Sequence, residues 1–138
     1  MRLIINISTS NPAKGCKTMS ETIFSKIIKR EIPADIIYED EFCLAFNDIN
    51  PQAPVHFLVI PKKSIATIND IEEQDRELVG HLYIAAAKIA KEKGFADDGY
   101  RVVMNCNESA GQTVFHIHLH VLAGKPLGWP PYTDKLKV

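Results

Sequence analysis

Residues 114–123 read Val-Phe-His-Ile-His-Leu-His-Val-Leu-Ala, and they place three of the chain's five histidines at alternate positions. A period of two predicts a β-strand, because successive strand side chains point to opposite faces. His116, His118 and His120 would then line one face, about 6–7 Å apart along the strand. The apolar residues between them would face the core. We therefore expect a strand over residues 114–123 that presents a row of imidazoles.

Four more apolar stretches of the chain predict strands, at residues 35–39, 42–47, 55–60 and 100–106. Most connections between them are short, which favours antiparallel pairing. Thr22 can cap a short helix over residues 23–30. Apolar residues recur at helical spacing over residues 72–93, and Gly94 fits the position after a helix end. These elements predict an α+β fold, with the helices on one face of a sheet.

Composition limits the classes of function. The chain has 138 residues, of which 46% are hydrophobic and 24% are charged, which fits one domain with a real core. A net charge of -1 does not favour a nucleic-acid partner, and the apolar stretches are too short to span a membrane. The three cysteines lack C-x-x-C spacing, which argues against a disulfide framework or a structural zinc site. We expect Cys43 and Cys106 to be buried thiols in a reducing compartment.

Residues 1–19 differ from the rest, because they contain no acidic residue before Met19. We expect them to be a disordered N-terminal extension, with a single domain over residues 20–138 and a cytoplasmic location. An organelle transit peptide remains an alternative for residues 1–18, since such peptides are basic and poor in acids.

Three kinds of chemistry compete for the histidine row. The histidines could be structural, or they could bind a metal such as zinc with His56 as a fourth ligand. The run holds no carboxylate or cysteine to complete such a ligand set. The third reading is a nucleophile for phosphorus, because neutral imidazole is nucleophilic near pH 7. The loop at residues 111–113, Gly-Gln-Thr, can offer donors to phosphate oxygens, and it leads directly into the row.

The run His-Ile-His-Leu-His resembles the signature of the histidine triad (HIT) superfamily, and the resemblance extends from about Thr22 through Pro131. Residues 46–54, residues 56–62 and the segment Trp129-Pro130-Pro131 are similar to the Hint branch, which comprises purine nucleoside phosphoramidases. That resemblance implies a five-stranded antiparallel sheet with one long and one short helix. It also implies a homodimer in which two sheets form one of ten strands. No cofactor or metal is expected.

The resemblance implies a role for each site residue. His118 would attack the α-phosphorus of a purine nucleoside 5′-phosphoramidate and form a nucleotidyl-histidine, which water would hydrolyse to the nucleoside monophosphate. His120 would assist the leaving group, with His116 and His56 supporting the site. Asp48 would bind the ribose. Phosphate would be held by Asn105, Gly111, Gln112 and Thr113, and the purine by Ile23, Phe24, Ile27, Phe46, Ile49 and Leu58.

Two departures from the branch concern selectivity. Asn47 and Gly128 stand where relatives often have histidine, and residues 132–138 continue past the point where many relatives stop. A nucleotide-binding regulatory protein with little turnover is one alternative function. A dinucleoside-polyphosphate hydrolase is another, because it would attack the same phosphorus but expel a nucleotide.

Overall fold

The computed structural model describes residues 21–132, so the predicted extension at residues 1–19 lies outside the described residues. These residues form five strands and two α-helices: α1 (Ile23–Ile28), β1 (Ile36–Glu39), β2 (Cys43–Asn47), β3 (Val55–Pro61), α2 (Arg76–Lys93), β4 (Arg101–Val103) and β5 (Leu119–Ala123). The strands form one sheet in the order β1-β2-β3-β5-β4, and every neighbouring pair is antiparallel. The α+β prediction of a five-stranded antiparallel sheet with one long and one short helix is confirmed.

The helices lie on opposite faces of the sheet, so the prediction that they share one face is wrong. Alternate residues of β2 and β3 belong to two separate clusters. One cluster includes Ala45 and Phe57 and packs against α2, while the other includes Phe46 and Leu58 and packs against Phe24 of α1. Alternate residues of these strands point to opposite faces of the sheet, and the residues on both faces are apolar. Each face therefore needs its own cover.

The two strands that flank the histidine run are shorter than the sequence pattern predicts. β4 covers only Arg101–Val103, and β5 begins at Leu119 rather than at residue 114. The backbone N–H of Ile117 donates to the carbonyl of Ile65, 2.8 Å away, instead of joining the sheet. Of the three clustered histidines, only His120 is therefore a strand residue.

Both helices begin and end at identifiable local signals. Thr22 caps α1 through a reciprocal pair of hydrogen bonds with Ser25, as predicted, and α1 stops at Ile28, because Arg30 has a positive φ of 63°. α2 begins at Arg76 rather than at residue 72, because a 3₁₀ turn, Glu73–Asp75, precedes it. Gly94 ends α2 with a φ of 87°, which fits the predicted glycine.

The apolar residues of α2 differ in burial. Ala86 and Ala90 lie in the core, whereas Tyr83 is half exposed. Cys43 is buried and Cys106 is partly buried, and both are free thiols. Within residues 21–132, no helix combines the length and hydrophobicity that a membrane span requires.

Candidate active site

Four histidines meet on the face of the sheet that α1 covers. Strand pairing places Leu58 of β3 opposite His120 of β5, and His56 lies two residues before Leu58 on the same face. The ring nitrogens His56 Nε2 and His120 Nδ1 are 3.0 Å apart. His116 and His118 approach from the irregular segment before β5, and the rings of His118 and His120 are 4.9 Å apart. All four predicted histidines are thus close together.

His118 is held in the tautomer that a nucleophile needs. Its Nδ1 lies 2.8 Å from the carbonyl oxygen of His116, which can only accept, so Nδ1 carries the proton and donates it. The lone pair is therefore on Nε2. The Phe24 ring meets His118 edge-on, with centroids 4.9 Å apart. Burial lowers the pKa of His118, although the bond to His116 and the charge of Asp48 oppose this effect. The ring is accordingly neutral near pH 7.

His56 and His120 form a hydrogen-bonded chain with a fixed direction. The backbone N–H of Gln52 donates to His56 Nδ1 at 3.0 Å, so His56 must carry its proton on Nε2. That proton faces His120 Nδ1, which accepts it. A neutral His120 consequently keeps its own proton on Nε2, as a donor. Gln52 was not among the predicted site residues. The signal for this contact in the sequence is that Gln52 lies four residues before His56.

His120 is neutral in the free protein. Burial is the largest cause that lowers its pKa, the positive forms of His118 and His56 add to it, Asp48 opposes it, and the resulting pKa is about 4. The structure therefore favours donation of a hydrogen bond from an uncharged imidazole at this position.

His116 is a positioning residue with no exposed surface. Its Nε2 donates to the Pro61 carbonyl at 2.8 Å, and its own carbonyl accepts the hydrogen bond from His118 Nδ1. Its Nδ1 is buried without a hydrogen-bond partner among residues 21–132. No sequence signal pointed to the Pro61 carbonyl, because that contact joins atoms far apart in the chain.

Asp48 lies at the edge of the histidine cluster. Its Oδ1 accepts the Asn50 N–H at 2.8 Å, and its Oδ2 is 3.4 Å from His56 Nε2. Asp48, His56 and His120 could also offer ligand atoms to a metal, since these atoms lie within 4.8 Å of one another. This set shares His56 and His120 with the zinc site that the sequence suggested, and it contains Asp48 in place of His116 and His118.

The loop before the histidines is held by Gln112 from the inside. Its side-chain Nε2 donates to the carbonyls of Ala66 and Val114, and its Oε1 accepts the Asn107 N–H at 2.7 Å. Both amide hydrogens are therefore used within the protein, where the Gln112 side chain supports the loop. The direct phosphate contact expected for Gln112 stays a prediction. Asn107 has φ 68° and ψ -178°, a region that is costly for any residue except glycine.

Three other predicted phosphate ligands keep free donors or an open backbone. Thr113 is exposed, and neither its hydroxyl nor its backbone N–H is bonded within residues 21–132. Gly111 is exposed with a φ of 93°, which suits glycine, but its backbone N–H already donates to the carbonyl of Glu108 at 2.9 Å. The Asn105 side chain is partly buried and makes no hydrogen bond within that same range. The donors of Thr113 and Asn105 are therefore available to an anion.

The predicted purine slot divides into a floor and a rim. Four of its residues are buried in the α1-side cluster: Phe24, Ile27, Phe46 and Leu58. Ile23 is 49% exposed and Ile49 is 96% exposed, so both remain free to cover a ligand. An apolar floor with exposed apolar residues at its edge suits a flat aromatic base.

Comparison with known proteins agrees with this geometry. Residues 29–127 match the family model described as HIT domain. The chain is 55% identical over 108 residues to the purine nucleoside phosphoramidase of Escherichia coli, covering 78% of this chain and 91% of that protein. A HIT family hydrolase from Legionella pneumophila is 51% identical, with a TM-score of 0.79 over 80% of this chain and 99% of that one.

A second solved structure gives the same result. The HIT family hydrolase from Clostridium thermocellum is 49% identical and superposes with a TM-score of 0.77, covering 80% of this chain and 96% of that chain. At these identities, a match along most of both chains shows common ancestry as well as a common fold. The chain therefore belongs to the HIT domain family.

Proposed function

We propose that this chain hydrolyses purine nucleoside 5′-phosphoramidates to the nucleoside monophosphate and an amine. The observation that carries the proposal is the bond from His118 Nδ1 to the His116 carbonyl, which leaves a lone pair on Nε2. The E. coli relative named purine nucleoside phosphoramidase supports the substrate class. The exposed donors of the loop and the apolar floor support a ligand with a phosphate and a base.

The first chemical step would exchange one P–N bond for another. His118 Nε2 would attack the α-phosphorus, and the bond from phosphorus to the amine would break. The ring becomes cationic as it attacks, and its Nδ1 proton then binds the His116 carbonyl more strongly. The departing amine takes one proton from solvent, and His120 Nε2–H donates a hydrogen bond to the phosphate beside it, which keeps His120 neutral throughout the step.

The second step would release the nucleotide. Water attacks the phosphorus of nucleotidyl-His118, the bond to Nε2 breaks, and the attacking water releases one proton to solvent. His118 returns to its neutral state with the proton still on Nδ1. Asp48 would accept hydrogen bonds from the hydroxyls of the ribose. Thr113 and Asn105 would donate to phosphate oxygens beside the open backbone at Gly111, without a metal or another cofactor.

Three further features belong to the proposal. We propose that the active form is a homodimer that joins two sheets into one of ten strands, since the resemblance implies it and the edge strand β4 is free to pair. Arg101 donates to the carbonyls of Leu127 and Gly128, which would hold the C-terminal tail near the leaving group. We propose a cytoplasmic location, which the free thiols support.

The test is release of AMP from adenosine 5′-phosphoramidate by the wild type and by His118→Ala, each with and without EDTA. We expect turnover that EDTA does not slow and that His118→Ala abolishes, while AMP binding remains. Loss of turnover in EDTA with recovery in zinc would mean that histidines act as metal ligands. Cleavage of diadenosine polyphosphates in preference to the phosphoramidate would favour the polyphosphate hydrolase, and binding without turnover would favour the regulatory protein.

A further inference from the structure

A second group of metal-binding side chains lies away from the active-site histidines. It comprises Asp40 in the β1–β2 turn, Cys43 at the start of β2 and His81 on α2. Their ligand atoms all lie within 4.8 Å of one another. Cys43 belongs to the cluster that packs under α2, on the opposite face from the nucleophile. Nothing in the proposed hydrolysis uses these three residues.

The carboxylate of the group is already oriented. Its Oδ1 accepts the backbone N–H groups of Phe42 and Cys43 at 2.8 and 2.9 Å. Its Oδ2 accepts the Tyr38 hydroxyl at 2.9 Å and lies 2.7 Å from His81 Nε2. Burial would raise the pKa of Asp40, but these hydrogen bonds lower it well below its usual range. A charged oxygen therefore faces the imidazole and the thiol, and its supporting contacts resemble those that orient metal ligands.

The site has a buried floor and an open rim. Cys43 has no exposed surface, whereas the side chains of His81 and Asp40 are 30% and 25% exposed. Burial raises the pKa of the Cys43 thiol to about 12, with Asp40 adding to the effect and Lys62 and Lys88 opposing it. The thiol is thus neutral without a metal. A metal that binds it must displace its proton.

We propose that Asp40 Oδ2, Cys43 Sγ and His81 Nε2 bind one zinc ion, with water as the fourth ligand. Sulfur, nitrogen and oxygen donors from three segments suit Zn²⁺, which takes mixed ligands in tetrahedral geometry. On binding, the Cys43 proton leaves for solvent, and the proton on His81 Nε2 moves to Nδ1. Thiolate and carboxylate together balance the charge of the ion. The bound metal would tie the β1–β2 turn to α2.

The test replaces zinc with Co²⁺, because cobalt bound to a thiolate gives an intense near-ultraviolet charge-transfer band as well as tetrahedral visible bands. The full chain is titrated under reducing, anaerobic conditions. We expect both bands in the wild type, displacement by Zn²⁺, and loss of the ultraviolet band in Cys43→Ser. His81→Gln should weaken cobalt binding, and Tyr38→Phe should weaken it by roughly tenfold as an outer contact.

The control is Cys16→Ser combined with Cys106→Ser, which leaves Cys43 as the sole thiol and should keep the spectrum. Circular dichroism establishes that each variant is folded, and His81→Gln tests the site independently if Cys43→Ser does not fold. Cobalt at Asp48, His56 and His120 would give visible bands without the thiolate band. Absence of that band in the wild type, or its persistence in folded Cys43→Ser, would overturn the proposal, whatever the hydrolysis assay shows.

Discussion

At the residue scale, each site imidazole is fixed in one tautomer by a neighbour that can act in only one way. A backbone N–H faces His56 Nδ1, and carbonyl oxygens face His118 Nδ1 and His116 Nε2. The directions of the remaining hydrogen bonds follow from these contacts. Reactivity is therefore set by backbone atoms that no substitution removes directly, and the surrounding side chains determine where those atoms lie.

The same burial makes stability depend on pH. Burial lowers the pKa of His56, His116, His118 and His120, so in each case the unfolded chain binds a proton more readily than the folded one. Their contribution is complete above about pH 6.5 and is lost as the pH falls towards the folded pKa, about 4 for His120. We expect the free energy of unfolding to drop between pH 7 and pH 5, by at most about 1.4 kcal/mol per pH unit for each histidine.

Urea unfolding at both pH values measures this effect. The window lies above the ordinary pKa of the carboxylates, so their protonation adds little. His120→Asn removes one titrating group and should show a smaller drop than the wild type. An equal drop in the variant would contradict the assignment of this pH dependence to His120.

The strained Asn107 and its support by Gln112 give a second prediction. Gln112→Ala removes three hydrogen bonds that hold the loop, and we expect kcat/KM for the phosphoramidate to fall about tenfold or more. Asn107→Gly in the same chain should restore part of the loss, because glycine adopts φ 68° without steric cost. Asn107→Gly alone should keep activity. Steady-state kinetics of the four proteins measures both effects, and a double variant no better than Gln112→Ala would refute the strain argument.

At the element scale, the short helix α1 is the cover of the site and depends on its cap. Thr22 and Ser25 satisfy each other's backbone N–H, and Phe24, which lies between them in the chain, contacts His118. We expect Thr22→Ala to lower the free energy of unfolding by about 1 kcal/mol. Denaturant unfolding measures it. Glu21→Ala, which removes an exposed ion pair to Lys29 next to the cap, should cause no measurable change, and a similar loss in both variants would argue against the cap.

Regular elements were predictable where side-chain periodicity alone determines them. The five strands and α2 appear because their apolar residues recur with periods of two and 3.6, and Gly94 ends α2 where a left-handed residue is needed. The backbone around His116 and His118 was not predictable. Its departure from the sheet depends on the Ile65 carbonyl, which the local pattern cannot reveal. The histidines still converge, because alternation kept their rings on one side.

The sequence predicted which residues lie in the candidate site but not which of them face a ligand and which support the loop. The sequence placed Gln112 among the phosphate ligands because an amide beside glycine is a typical anion donor. The structure uses both of its amide hydrogens within the protein. Ile49 was assigned to the purine slot by resemblance, and its 96% exposure leaves it at the rim. Such distinctions depend on contacts between segments distant in sequence.

At the scale of the whole molecule, exposed apolar residues remain on α2. Tyr83 and Ile84 are 50% and 63% exposed. If the homodimer buries this side of α2, Ile84→Lys should shift the protein towards monomer, because burying an unpaired charge opposes association. Analytical ultracentrifugation over a range of concentrations measures the change. Phe42→Lys is the control, since Phe42 is 50% exposed at the β1–β2 turn, and dissociation by both variants would argue against an interface at Ile84.

The sheet order has a consequence for how the chain is made. β5 lies between β3 and β4, so it is both the last strand synthesised and an internal one. While β5 is still inside the ribosome, one edge of β3 has no partner strand. That strand carries residues that are buried in the folded protein, such as Phe57 and Val59. Such an unpaired edge can form backbone hydrogen bonds with strands of other chains. Catalytic competence and protection from aggregation therefore arise in the same late event, and chains truncated before Leu119 should need chaperones while having no activity.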